Sequence, residues 1–279
     1  MDSAHRIVIV VNRNKEGAKE LASELKAKAS TRNINAKIVD EFPVNDKALE
    51  GADLCLTIGG DGTLLSVVNS ARLHKTPVIG VNMGRLGFMA HYSPEEIRES
   101  FFDVLEGAYR LSERRLLAVN SGSSDQIHYC LNDLVLKATG SKLIRIRVFC
   151  DGEELNTYSA DGIIASTPTG STAYNLSAGG PIIHPEAKVI VLTPINPHTL
   201  SNRAIVLDES HEIRIDCVEQ TDPVTVSGDG INLFESGSPF PLCLRIAPGD
   251  RFTLVQKKGV SHHYILKNKL RWNGDSLAN

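Results

Sequence analysis

The sequence predicts an α/β domain with a parallel sheet followed by an all-β sandwich domain, and three observations carry that prediction. In the first third of the chain, continuous apolar runs alternate with segments of helical period, as in strands covered on both faces and joined by helical crossovers. Beyond Glu113-Arg114-Arg115 the helical period fades, and apolar and charged residues alternate strictly, the mark of strands with one buried face. Turn residues separate these later strands at close intervals, which fits a sandwich.

Taken in order, Ile7–Val11 reads as a buried strand, and Asn12 to Asn14 as a turn. Lys15 to Ala29 places Ala18, Leu21, Ala22 and Leu25 on one helix face. Ala36–Val39 and Leu54–Ile58 are the next strands, the second running straight into Gly59-Gly60-Asp61-Gly62-Thr63. Leu64, Leu65, Val67 and Val68 suggest a helix after that loop, and Pro77–Val81 a fourth strand. Right-handed crossovers then make this first part Rossmann-like. In the second part, Ile144–Val148 and Ile213–Cys217 show the clearest alternation, and Asp151-Gly152 is a hairpin signal. Further strands are expected at Ala118–Asn120, Leu134–Lys137, Val189–Leu192, Ala204–Leu207, Val224–Val226 and Phe252–Val255. Thr172 to Ala178 reads as a short helix. The expected division is 1–111 for the α/β domain and 112–261 for the sandwich, with 262–279, including Tyr264 to Trp272, returning to the first domain.

The 279 residues are 42% hydrophobic, enough for two cores and too apolar for a disordered chain. No run approaches the ~20 apolar residues of a membrane span, and the opening Met-Asp-Ser-Ala-His lacks the layout of a signal peptide. A soluble, cytoplasmic protein is expected. A net charge of -3 removes the electrostatic footprint of a nucleic-acid binder. The five cysteines are odd in number and contain no Cys-x-x-Cys pair. Buried free thiols are expected, and the spacing suits neither zinc nor a redox dithiol.

The loop at 59–63 carries the most information. Three glycines around Asp61 at the end of a buried strand permit close approach of a ligand, and a following helix would aim free N–H groups at an anion. An Asp there would repel phosphate unless it binds magnesium or takes a proton from an attacking hydroxyl. A tight turn with Asp61 as helix cap is the alternative. No Gly-x-x-x-x-Gly-Lys-[Ser/Thr] occurs, and Leu65 stands where a Gly-x-Gly-x-x-Gly needs its third glycine. The second dense stretch, Asp161 to Pro181, exposes many hydroxyl and backbone groups around Tyr174, whose ring suits a base or sugar; a Ser/Thr-rich loop entering a helix is the plainer reading. Asn132-Asp133, set among apolar residues, could read a ribose diol or simply form a turn.

Together, Gly59–Thr63, Asn132-Asp133, Thr167-Pro168-Thr169-Gly170-Ser171-Thr172-Ala173-Tyr174 and Gly179-Gly180-Pro181 resemble the NAD kinase family. So do Asn82-Met83-Gly84-Arg85-Leu86-Gly87-Phe88 and Pro197-His198-Thr199-Leu200, and the resemblance runs from about residue 7 to 272. It implies phosphorylation of the adenosine 2′-hydroxyl of NAD by ATP with a divalent metal, magnesium, giving NADP. It implies Asp61 as general base and Gly59, Gly60, Gly62 and Thr63 as the phosphate loop. The NAD contacts it implies are Asp61, Gly62, Phe88, Asn132, Asp133, Lys142, Asp161, Thr172, Ala173, Tyr174, Asn175, Leu176, Ser177 and Asn196. Phe88 would look the same from sequence as a core aromatic. A homodimer or homotetramer is implied as well.

Ser66, Ser159 and Ile231 depart from the family's usual basic residue, Arg or Lys, and Gln, while Lys142 replaces a common His or Arg. These departures leave the phosphate donor open between ATP, other nucleotides and polyphosphate. They also keep an NAD-sensing module without catalysis in view. A lipid kinase sharing the glycine loop is the other alternative, though the polar 167–177 run speaks against an acyl-chain pocket. His184 and His198 have no ligand-spaced partner and read as structural.

Overall fold

The computed structural model describes residues 4–84, 87–122, 124–199, 201–219, 223–234 and 239–271. Of the motif residues, Arg85, Leu86, Leu200 and Trp272 fall outside these. The chain divides into two compact units, one running to Glu113 and resuming at Phe252, the other spanning Arg114–Arg251.

The chain opens with β1 (Arg6–Val11), α1 (Ala18–Ser30), β2 (Asn35–Val39) and β3 (Leu54–Gly59). There follow α2 (Asp61–Leu65), α3 (Val68–His74), β4 (Val78–Asn82) and α4 (Pro94–Leu105). Strands lie in the order β2-β1-β3-β4, all parallel. Every residue of β3 is buried, and all but Arg6 of β1, which is why these strands read as unbroken apolar runs. Helix α1 buries Ala18, Leu21, Ala22, Leu25 and Ala29 against the sheet. Where one helix was expected after the glycine loop, there are two. The first already begins at Asp61 and ends at Leu65, where Ser66 turns its hydroxyl back to the Thr63 carbonyl, 2.7 Å away. Helix α4 had no counterpart in the expected elements, although its capping box, Ser93 with Glu96, and Pro94 at its first turn are plain in the sequence.

Strand β5 (Tyr109–Ser121) leads on to β6 (His128–Cys130), β7 (Asp133–Ala138), β8 (Ile144–Cys150), β9 (Glu153–Ala160) and β10 (Gly162–Ser166). A 3₁₀ turn at Thr169–Thr172 precedes the four-residue α5 (Tyr174–Ser177), so the helix expected over 172–178 is only partly realised. The remaining strands are β11 (Val189–Ile195), β12 (Ile205–Asp208), β13 (Ile213–Glu219), β14 (Val224–Gly228), β15 (Ile231–Asn232) and β16 (Leu242–Lys257). Helix α6 (His262–Lys269) follows β16, and Leu254 near the end of that strand pairs in parallel with Val78 of β4.

In the second unit one antiparallel sheet runs β12-β11-β10-β7-β14-β15. Facing it, β9, β8, β13 and the start of β16 pair antiparallel. Leu134, Leu136, Ile163 and Leu192 of the first sheet share one core with Ile144, Ile146, Val148, Ile213 and Ile215 of the second, which is the sandwich the alternation predicted. Asp151-Gly152 and Asp229-Gly230 close two-residue hairpins with positive φ at both positions, the conformation that favours Asp-Gly.

All five cysteines are free; Cys55 and Cys130 are buried as expected, but Cys150, Cys217 and Cys243 are half-exposed. His184 and His198 are both exposed, and His184 Nδ1 accepts the Glu186 N–H at 3.3 Å. Among the described residues no helix is long and apolar enough to cross a membrane.

Candidate active site

Within the first unit, β3 delivers the glycine loop and α2 begins directly on Asp61. The first intrahelical donors are the Thr63 and Leu64 N–H groups, both reaching the Gly60 carbonyl. The Asp61 carboxylate accepts backbone N–H groups from Phe88 at 2.8 Å, Met89 at 3.2 Å and Ala90 at 3.0 Å. The glycine loop and the end of the Asn82–Phe88 stretch, at Gly87 and Phe88, therefore meet on the Asp61 carboxylate. A Cβ at Gly87 would collide with Asp61, so that glycine is required for the contact. An ionised carboxylate has about four acceptor positions, and these three bonds leave one for another donor.

The glycines of the loop divide by cause. A Cβ at Gly59 would strike the Thr63 side chain, whereas one at Gly60 or Gly62 would meet nothing within 4 Å. Neither Gly60 nor Gly62 has positive φ. The fold itself does not require glycine at 60 or 62, and the missing side chains leave room there for close approach of a ligand.

Within the second unit, Asn132 and Asp133 sit where the chain enters β7. The Thr167 N–H donates to the Asn132 carbonyl at 2.9 Å, and the Thr167 hydroxyl donates to the Leu131 carbonyl. A Cβ at Gly170 would collide with the Asn132 backbone. The Tyr174 N–H reaches the Asp133 carboxylate. The 167–177 run and Asn132-Asp133 are thus one assembly, with Tyr174 and Ser177 exposed and Thr172, Ala173 and Leu176 half-exposed around it. Substituting Gly170→Ala should cost about 1–3 kcal/mol, because backbone rather than a movable side chain must yield; urea unfolding checks this.

Asn175 has a different role from its neighbours. Its side chain is fully buried, donating to the Ser171 and Pro181 carbonyls, both at 3.0 Å, and accepting the Thr193 hydroxyl at 2.7 Å. It ties the turn to Gly180-Pro181 and β11 rather than presenting a group outward. Asp161 and Asn196 are brought together, the Asn196 amide donating to the Asp161 carboxylate at 2.9 Å. Lys142 is exposed on the β7–β8 connection. Phe88 is half-buried beside Lys269, whose ammonium lies 5.7 Å from its ring centre. Ser159 and Ile231 are exposed.

Sequence reasoning missed Asp229 as a site residue. Its carboxylate accepts the N–H groups of Leu131 (2.7 Å), Asn132 (2.7 Å) and Asp133 (3.2 Å), and its own N–H donates to the Asp133 carbonyl at 3.0 Å. The hairpin that carries it was legible as Asp-Gly, but nothing in the sequence linked it to residues almost a hundred positions earlier. Burial, followed by the charge of Asp229, pushes the Asp133 carboxyl up to about 7 against the pull of the Tyr174 N–H. Burial pushes Asp229 up to about 6, opposed by its three backbone donors.

Two family models cover most of the chain: the ATP-NAD kinase N-terminal domain over residues 30–109 and the ATP-NAD kinase C-terminal domain over residues 131–237. The NAD kinase of Protochlamydia amoebophila is 36% identical over 276 residues, covering 96% of this chain and 98% of that protein. The NAD kinase of Aquifex aeolicus is also 36% identical, covering 96% and 99%. The fold matches yeast NADH kinase solved with NADH (TM-score 0.80, 24% identity, 97% of this chain and 89% of that one). It also matches an NAD kinase from Archaeoglobus fulgidus solved with ATP (TM-score 0.77, 23% identity, 96% and 100%). With both halves matched by their own family models and relatives aligned over nearly their full length, the chain belongs to the NAD kinase family.

Proposed function

We propose that this NAD kinase moves the γ-phosphate of ATP to the 2′-hydroxyl of the adenosine ribose of NAD, with Asp61 as the proton acceptor. The observation that carries the reading is the Asp61 carboxylate, held by three backbone N–H groups with an acceptor position left. In the step, the 2′-oxygen bonds to the γ-phosphorus while the bond from that phosphorus to the β–γ bridging oxygen breaks. ADP leaves with the electron pair, and the hydroxyl proton passes to Asp61. A hydroxyl is a weak nucleophile, so orientation and neutralisation of the phosphate charge carry most of the rate. Magnesium enters as part of the donor substrate, and a carboxylate oxygen beside the phosphate loop is the hard donor such an ion prefers. Gly59, Gly60, Gly62 and Thr63 form the phosphate loop. Asn132, Asp133, Asp161, Asn196 and the exposed part of 172–177 hold NAD, with Phe88 and Lys142 as further contacts.

Gly62→Ala separates a ligand role from a folding role. A methyl at 62 meets open space and sits within a helix, where Ala is favoured over Gly by about 0.5–1 kcal/mol. The melting temperature should therefore hold or rise while kcat/KM falls at least about tenfold, a loss of about 1.4 kcal/mol in transition-state binding. Unchanged kinetics would remove the loop's role in holding phosphate.

The reading as a whole is tested by incubating the chain with NAD, ATP and magnesium and following NADP through an NADP-specific dehydrogenase. NADP formation supports it, and replacing ATP by other nucleotides or polyphosphate defines the donor. If no donor yields NADP while NAD still binds, the chain is an NAD-sensing module. The reading includes a homodimer or homotetramer, checked by sedimentation, and a reducing cytoplasm, which the free cysteines support.

A further inference from the structure

Cys150, Asp151 and His211 lie outside the phosphate loop and every segment proposed to hold NAD. A sulfur, a carboxylate oxygen and an imidazole nitrogen from these three residues all fall within 4.8 Å of one another. Cys150 ends β8, Asp151 begins the hairpin turn, and His211 precedes β13. The backbone holds them in register. Ile213 pairs with Cys150, the Asp151 N–H donates to the Glu212 carbonyl at 2.9 Å, and the Glu212 N–H donates to the Asp151 carboxylate at 2.9 Å. His211 Nδ1 lies 2.6 Å from the other Asp151 oxygen. Cys150 and His211 are half-exposed and Asp151 is exposed, so an ion can enter from solvent. Asp151 also lines a cavity of about 500 Å³ together with Gly152, Glu212 and Arg214.

We propose that Cys150, Asp151 and His211 form a binding site for a divalent transition cation of the zinc class. The donor set selects the ion. Thiolate and imidazole suit zinc, whereas magnesium and calcium take oxygen ligands almost exclusively. Tetrahedral bonds of about 2.0–2.3 Å place ligand atoms about 3.3–3.8 Å apart. The three donors therefore need side-chain adjustments of about 1 Å, without movement of the strands. His211 and Asp151 separate slightly as the ion takes the place of the proton between them, the thiol releases its proton, and water fills the fourth position. The site is independent of the catalytic reading: no residue in it belongs to the phosphate loop or the NAD contacts.

Equilibrium dialysis of the purified full chain against zinc, and separately against cobalt(II), tests the proposal. One zinc per chain is expected, with cobalt giving a thiolate-to-metal charge-transfer band and tetrahedral visible absorption. Zinc K-edge absorption on the unaltered protein should show one sulfur at about 2.3 Å. Cys150→Ser should abolish the charge-transfer band, and His211→Ala should weaken zinc binding at least about tenfold. Cys243→Ser should leave both unchanged, and all three variants should remain folded and keep the magnesium-supported activity. A zinc site without sulfur overturns the proposal. So does a band that survives Cys150→Ser, or affinity unchanged in His211→Ala, either of which would mean adventitious binding elsewhere. Because the absorption measurement needs no variant, a misfolded substitution does not protect the proposal.

Discussion

Asp61→Asn should lower kcat by about 10²–10⁴-fold, the range for losing a positioned general base, while NAD still binds measurably. The amide has nearly the same shape as the carboxylate but takes up no proton at neutral pH. It also replaces one of two oxygens that both accept N–H groups, Oδ2 from Phe88 and Oδ1 from Met89 and Ala90. In either orientation its NH₂ faces at least one backbone donor, so the variant should lose about 1–3 kcal/mol of stability as well. Kinetics must therefore be read well below the melting temperature, with NAD binding measured by calorimetry on the same sample. Binding is expected to persist, because most of the NAD contacts proposed above belong to the second unit. Near-normal turnover in folded Asp61→Asn would remove Asp61 as base.

Asp229→Asn should raise the KM for NAD by about tenfold or more while leaving the KM for ATP near its original value. Asp229 is a positioning residue: its two oxygens receive three N–H groups from Leu131, Asn132 and Asp133. An amide would turn its NH₂ toward one of these donors, and bonds to charged acceptors are worth about 1.5–3 kcal/mol. The pH profile separates this role from simple destabilisation. In the wild type Asp133 ionises near 7, raised first by burial and then by the charge of Asp229. Among the described residues the Cys130 thiol also faces it, itself pushed up by burial and by both carboxylates. On the proposed reading, in which Asp133 holds the NAD ribose, the ionised carboxylate is the stronger acceptor for its hydroxyls, so the KM for NAD should climb as pH falls through about 7. With the charge at 229 removed, that rise should move to lower pH. The stability sign follows from the same shift. With its folded pKa above the unfolded value, Asp133 binds more proton in the folded state between about pH 4 and 7, so its contribution is present below about 4 and is lost as pH rises through that window. Asp229→Asn should flatten that slope. KM for NAD and urea stability measured from about pH 5 to 9 check both, and an NAD profile identical to wild type would refute the positioning role.

The sequence by itself determined the architecture and the principal motifs. The doubly buried strands β1 and β3 appear as unbroken apolar runs, and the alternation of β8 and β13 marks one face for the sandwich core. These are local patterns, set by which face of each element meets water, and they survive without knowledge of the partners. The capping box of α4 was equally local and was overlooked rather than illegible. Other features were decided only by tertiary structure. The clamp on Asp61 joins residues 61 and 88–90, Asp229 holds 131–133, and Asn175 turns inward to bond 171, 181 and 193. The cysteine spacing read as unsuited to zinc, yet strand register sets Cys150 beside His211. The physical reason is the same in each case. Hydrogen bonds and ligand clusters depend on a few ångströms of separation between side chains far apart in the chain, and a one-residue change of strand register would turn those side chains to opposite faces. Periodicity records which face is buried but not which residue of another strand lies opposite.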